Sequence, residues 1–275
     1  MIDERGGAAS PRRMIDRLGW LAAAGVLLVP AIVVPAVIWA RVTFHALHPD
    51  FALERYPTIS RALSDPAVGE PFAFWVTIAA VILWVSTHYI LRMLVVEHPS
   101  RAALGTWRDR LTRALFPVMS LAMTATCVGM VLLAHYRLGT DAGGYRMHMV
   151  GSYLFFASQA ATILLAAIYH SLVARAHDLE PRRVVFSDRW RARLGYLTTG
   201  AAAFYGVIFK IKSLDLGAAT RAVVVLYVEL ETILIFVFLL YLTLYFMDVL
   251  RFSRSGCERS EISDRIAPTA LNPVS

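Results

Sequence analysis

Apolar residues gather in six long runs, at 20–40, 71–91, 114–136, 147–174, 194–209 and 222–247, with charged residues concentrated in the connectors. Crossing about 30 Å of hydrocarbon takes roughly 20 helical residues, a length that five of the runs reach. The fifth has 16 residues before Lys210 and spans if Lys210 and Lys212 snorkel to the headgroups. The pattern predicts an all-α fold, a polytopic membrane bundle of six transmembrane helices at about 20–40, 71–93, 114–136, 147–174, 194–212 and 222–249. The membrane domain covers 19–250. It is preceded by an N-terminal segment 1–18, interrupted by an exterior loop 41–70, and followed by a tail 251–275 whose Ser, Pro and Arg content reads as disordered. Arg12, Arg13 and Arg17 before the first run resemble the basic flank of a signal peptide, but the run exceeds the usual apolar core of about 7–15 residues and reads as a retained helix.

Charge fixes the expected orientation. Of the 27 Lys and Arg residues, 19 fall on the side that holds both termini and 8 on the other, so the positive-inside rule predicts N-in, C-in and a multi-pass protein of the plasma or cytoplasmic membrane. The net charge of +7 therefore belongs to short juxtamembrane connectors, which suit anionic lipid or protein partners. These arginines are split among four segments beside apolar helices, which argues against nucleic acid. Cys127 and Cys257, one inside the third helix and one in the tail, form no disulfide framework.

Polar residues inside the apolar runs carry the candidate chemistry. On the fourth helix Ser152, Gln159, Thr162 and His170 all lie within about 40° of His148, a stripe that must face the bundle interior. Interhelical hydrogen bonding is its plain explanation and a functional cavity the sharper one. Glu229 and Glu231 on the sixth helix point about 200° apart, so they require different environments. An acid at that depth needs protonation, a partner or water; the partners weighed are Gln159 or a Tyr, and Lys210 for Glu229. The second helix shows a weaker stripe of Thr77, Trp84, His88 and Arg92. Thr199, Ala202, Ala203 and Gly206 give the fifth helix the small-residue spacing of a close helix contact, while Pro30 and Pro35 predict a bend in the first.

The exterior loop holds His45, His48, Asp50, Glu54, Tyr56, Asp65 and Glu70. It reads as a solvated surface loop, with a metal site on His45, His48 and Asp50 as the lesser alternative. No zinc-protease helix motif, phosphate-binding glycine loop, nucleophile elbow or paired-cysteine motif is present. No cofactor or metal is therefore expected.

Three stretches together carry a family resemblance. Pro57, Ile59 and Ser60 form a Pro-x-Ile-Ser motif in the exterior loop; His148, Gly151, Phe155 and Phe156 open the fourth helix; Glu231, Phe236, Phe238, Tyr241, Thr243 and Asp248 mark the sixth. In this the chain resembles the damage-regulated autophagy modulator (DRAM) family of six-helix membrane proteins, over about residues 20–250. Where the family commonly has an acid after the loop Ser and Trp after the sixth-helix acid, this chain has Arg61, with Asp65 further on, and Thr232. The resemblance implies a protein that acts on or organises membrane lipids.

The leading expectation is a non-enzymatic lipid-binding scaffold or regulator whose ligand site comprises His148, Ser152, Gln159 and Glu231. The alternative is a lipid-remodelling enzyme, resembling those that remodel GPI anchors, with His148 as base and Glu231 as acidic partner. A haem electron carrier ligated by His88 and His170 and a proton-coupled transporter are lesser alternatives.

Overall fold

Six helices long and apolar enough to cross a membrane arise from the six runs, in a computed structural model that describes the backbone of residues 11–54, 57–137, 142–176, 187–212, 214 and 217–253 and the side chains of all of these except 11–17 and 52–54. In chain order the helices are α1 (Pro11–Leu47), α2 (Pro49–Glu54), α3 (Ile59–Ala62), α4 (Pro66–Val96), α5 (Arg101–Leu104), α6 (Thr106–His135), α7 (Ala142–Val173), α8 (Asp188–Ile211) and α9 (Thr220–Thr243). After a turn at Leu244 and Tyr245, helical backbone continues α9 to Ser253. No strand occurs among the described residues. The N-terminal segment to residue 10 and the tail from 254, including Cys257, lie outside them.

Two of the spanning helices, α4 and α8, begin ahead of their apolar runs on polar residues that supply capping groups. Asp65 accepts from the Ala67 amide at 2.8 Å ahead of α4, with Pro66 in the first turn, where a missing N–H costs nothing. Ser187 accepts from the Trp190 amide at 3.4 Å and starts α8 six residues before the expected boundary at 194. Pro30 and Pro35 are accommodated within one continuous α1.

Each spanning helix packs on its sequence neighbours, and α9 returns to α1, closing a ring α1–α4–α6–α7–α8–α9. The face carrying α2 and α3 is here called the loop side and the opposite face the termini side. The tightest seam joins α6 to α7. A Cβ on Gly129 would collide with the Phe155 amide nitrogen and lie 2.9 Å from the Gly151 carbonyl, while one on Gly151 would lie 2.6 Å from the Leu133 nitrogen, so the two backbones meet where neither residue has a side chain. The weaker stripe on α4 also joins helices: Trp84 donates to Thr124 at 3.1 Å, while His88 bonds Ser120 and Thr77 bonds His135, both at 2.9 Å, so three of its residues bind α6.

Two sequence expectations change. The close contact of α8 is not at Gly206, since nothing lies within 4 Å of a Cβ built there, but at Gly195, where a Cβ would lie 2.7 Å from that of Ala167 on α7. Nor is the exterior segment a plain solvated loop. Pro57, Ile59, Ala62 and Leu63 are buried against the bundle, and α1 extends to Leu47 before the short helices begin. Apolar residues at turn-like spacing in a polar segment are what packs it down.

Candidate functional site

Because α7 and α9 both pack on α8 but scarcely touch each other, a cavity of about 580 Å³ opens between them on the loop side. Its wall combines His148, Ser152 and Phe156 of α7, Ala202, Ala203 and Gly206 of α8, and Tyr227, Glu231 and Leu234 of α9, with Ser60 of α3 and Thr58 at its N-cap. The small residues that the spacing assigned to a helix seam are instead the reason for the empty volume. Lys210 and Lys212 line the same cavity.

His148 is 1% exposed, and its Nδ1–H donates to the Tyr136 carbonyl at 2.7 Å. That bond selects the tautomer of the neutral ring and leaves Nε2 as an acceptor. Glu231, 3% exposed, accepts from the Ile59 amide at 3.2 Å, a bond that ties α3 to α9 at the cavity wall. Among the described residues, neither Gln159 nor a Tyr is hydrogen-bonded to it. Glu229, two residues earlier and on another face, meets Arg41 of α1 at 2.9 Å rather than Lys210. Arg41 also donates to Thr232 at 3.1 Å, so this guanidinium clips α1 to α9.

The polar stripe of α7 is real as a face and divided as an environment. His148 and Ser152 line the loop-side cavity. Gln159 and Thr162 line a separate cavity of about 50 Å³ at the ring centre, together with Thr87, Tyr241 and Tyr245, so Gln159 does not join the other three expected ligand residues. The Gln159 Oε1 is buried and accepts no hydrogen bond among the described residues. His170, further along, belongs to a third cluster on the termini side. Its Nδ1 bonds Asp188 at 2.5 Å and its Nε2 bonds the Tyr245 hydroxyl at 2.7 Å.

That termini-side cluster is the feature sequence reasoning missed. Arg191, fully buried, pairs with Asp248, donates to the Leu244 carbonyl at 3.0 Å and lies 4.7 Å from the Tyr245 ring centre. Arg191 reads as an ordinary connector charge in the positive-inside tally, and Asp188 is not singled out there. Their Asp-x-x-Arg spacing just before an apolar run that is too short to span was the available signal, since it places both groups on the first turns of a longer helix. A smaller relative stands nearby, where His98 and Arg113 both approach Asp109, at 3.3 and 2.8 Å.

Outside the membrane, His48 pairs with Asp65 at 2.7 Å, not with His45 or Asp50 as a metal site would need. The His48 bond, then the Ala67 amide, holds the Asp65 carboxyl below the usual 3.8. No group of three metal-capable side chains occurs among the described residues. For the haem reading, both ring nitrogens of His88 are engaged, by the Trp84 carbonyl and Ser120, as are those of His170.

Comparison with known proteins adds no relative: no family model, no curated protein and no solved structure matches the chain.

Proposed function

We propose that this multi-pass membrane protein binds membrane lipid in the loop-side cavity and acts as a non-enzymatic lipid-organising scaffold. The observation that carries the reading is the cavity itself, about 580 Å³ and walled by both apolar and polar side chains. That volume lies within the roughly 300–1,000 Å³ of small-molecule sites, which are mostly apolar with a few placed polar groups. Ile59 and Ser60 of the loop, His148 and Phe156 of α7 and Glu231 of α9 all carry the DRAM-family resemblance, and all stand at or against this cavity. Glu231 has a structural bond to α3, which favours a binding role over acid–base chemistry. The remodelling-enzyme reading keeps one supporting observation, the acceptor Nε2 of His148.

The test is lipid mass spectrometry of the purified protein. Gly206→Trp places an indole in open space inside the cavity, and is expected to reduce co-purified lipid about tenfold while leaving the melting temperature within a few degrees of the parent. Glu231→Gln retains a carbonyl acceptor for Ile59 and is expected to reduce bound lipid more modestly. Undiminished lipid in a folded Gly206→Trp variant rules the cavity out as the binding site.

The charge split supports an N-in, C-in orientation in the plasma or cytoplasmic membrane, with the basic connectors on the inner face available to protein partners or anionic lipid. Cys257 is then labelled by a membrane-impermeant thiol reagent only after the bilayer is opened, and a cysteine at Ser64 from outside in intact cells. Labelling of Cys257 in intact cells reverses the orientation.

A further inference from the structure

In the wall of the loop-side cavity a cation rests on aromatic rings. The Lys212 ammonium sits 3.5 Å from the Tyr227 ring centre and 4.4 Å from that of Phe209, two rings that stand 5.8 Å apart and tilted by 56°. Each ring is braced by another that lines the same cavity. Tyr205 stacks on Tyr227 at 5.4 Å with 12° between the planes, and Tyr153 meets Phe209 edge-on at 6.0 Å. Tyr205 and Tyr227 are buried, so packing sets the position of this pair, and the ring faces are ready before any cation arrives.

Such faces attract a positive charge within about 6 Å of the ring centre. Lysine is a weak occupant of them, because its ammonium is compact and strongly hydrated. Lys212 also caps α8 on the loop side, where its long stem carries a displaced ammonium out to headgroup water. A quaternary ammonium bears methyl groups in place of N–H donors and gives up less hydration for the same two rings, which is why aromatic cages recognise it. Glu231, in the same wall, acts electrostatically on both Lys212 and Tyr227, and a carboxylate there favours a cation on the rings. Below this polar end the cavity turns apolar. From His148 to Ala160 the α7 wall descends roughly 18 Å at about 1.5 Å per residue, with Leu234 also in the lining, a depth that suits acyl chains.

We propose that the cavity selects phospholipids whose head ends in a quaternary ammonium, which takes the place of the Lys212 ammonium on Tyr227 and Phe209 while the acyl chains lie toward Ala160 and Leu234. This rests on the lipid-binding reading above and names its ligand class.

The experiment is native mass spectrometry of the full chain, delipidated in detergent and offered equal amounts of phosphatidylcholine and phosphatidylethanolamine with identical chains. The two lipids have the same net charge and differ only in the methyl groups on nitrogen. The parent is expected to favour phosphatidylcholine roughly fivefold. Tyr227→Leu brings the ratio near one while phosphatidylethanolamine binding persists, which shows that the variant is folded, and Phe209→Leu, at a less buried position, acts in the same direction. Lys212→Gln removes the chain's own competitor and is expected to raise phosphatidylcholine binding about threefold, whereas Lys212→Arg, which keeps a cation for the rings, does not. An even ratio in the parent, a preference that survives both ring variants, or weaker phosphatidylcholine binding by Lys212→Gln overturns the headgroup assignment and leaves lipid binding intact. Absence of both lipids from the parent overturns the underlying reading instead. Phosphocholine, which carries the head without chains, is expected not to compete; equal competition makes the ligand a soluble quaternary ammonium compound and also defeats the proposal.

Discussion

Asp248→Ala is expected to lower the melting temperature of the detergent-solubilised protein by roughly 10 °C or more, the largest effect of any single charge removal in the bundle. Arg191 is fully buried and Asp248 nearly so, hence truncating the acid removes the carboxylate paired with a buried guanidinium where neither water nor lipid replaces it. Breaking a buried pair from one side typically costs about 3–5 kcal/mol, whereas replacing both partners with apolar groups is often close to neutral. Arg191→Met combined with Asp248→Leu is therefore expected to recover most of the loss. Cys127, buried in α6, provides the readout through a thiol-reactive dye, with Cys257 changed to serine. Melting of Asp248→Ala within about 2 °C of the parent contradicts the account of this pair.

Gly129→Leu is expected to destabilise the protein by at least about 3 kcal/mol, at or beyond the upper end of ordinary over-packing. The obstruction is backbone, the Phe155 nitrogen and the Gly151 carbonyl, so no rotamer change relieves it and α6 and α7 must separate. Gly206→Ala provides the contrast, with an expected change within roughly 0.5 kcal/mol, since its Cβ enters open space. The same dye melt reads both variants. Equal melting of Gly129→Leu and Gly206→Ala removes the α6–α7 seam as a close contact.

Much of the architecture was legible along the chain. Six apolar runs of spanning length could fold only as bilayer-length helices, because a backbone in lipid must satisfy its own hydrogen bonds. The same periodicity put His148, Gln159, Thr162 and His170 on the inner face of α7, where all four are buried, and the angular offset of Glu229 and Glu231 anticipated their separate surroundings. The environment of each was not legible. Gln159 and Ser152 share a face but line different cavities, and small residues make a seam at Gly129 and Gly151 yet a cavity wall at Gly206.

By itself, then, the sequence determined the number of spanning helices, the faces they turn inward and the charge asymmetry across the bilayer, all properties of one segment in a known solvent. The tertiary structure decided which helix stands opposite each face. Ring closure between α1 and α9 brings Arg41 to Glu229, and the folding of α3 onto the bundle brings the Ile59 amide to Glu231 across 172 residues. The divergence of α7 from α9 turns the small residues of α8 into the wall of a cavity. Helical periodicity fixes only angles about one axis, whereas a cavity or a buried ion pair depends on the distance between two axes, and that distance is set by every side chain packed between them.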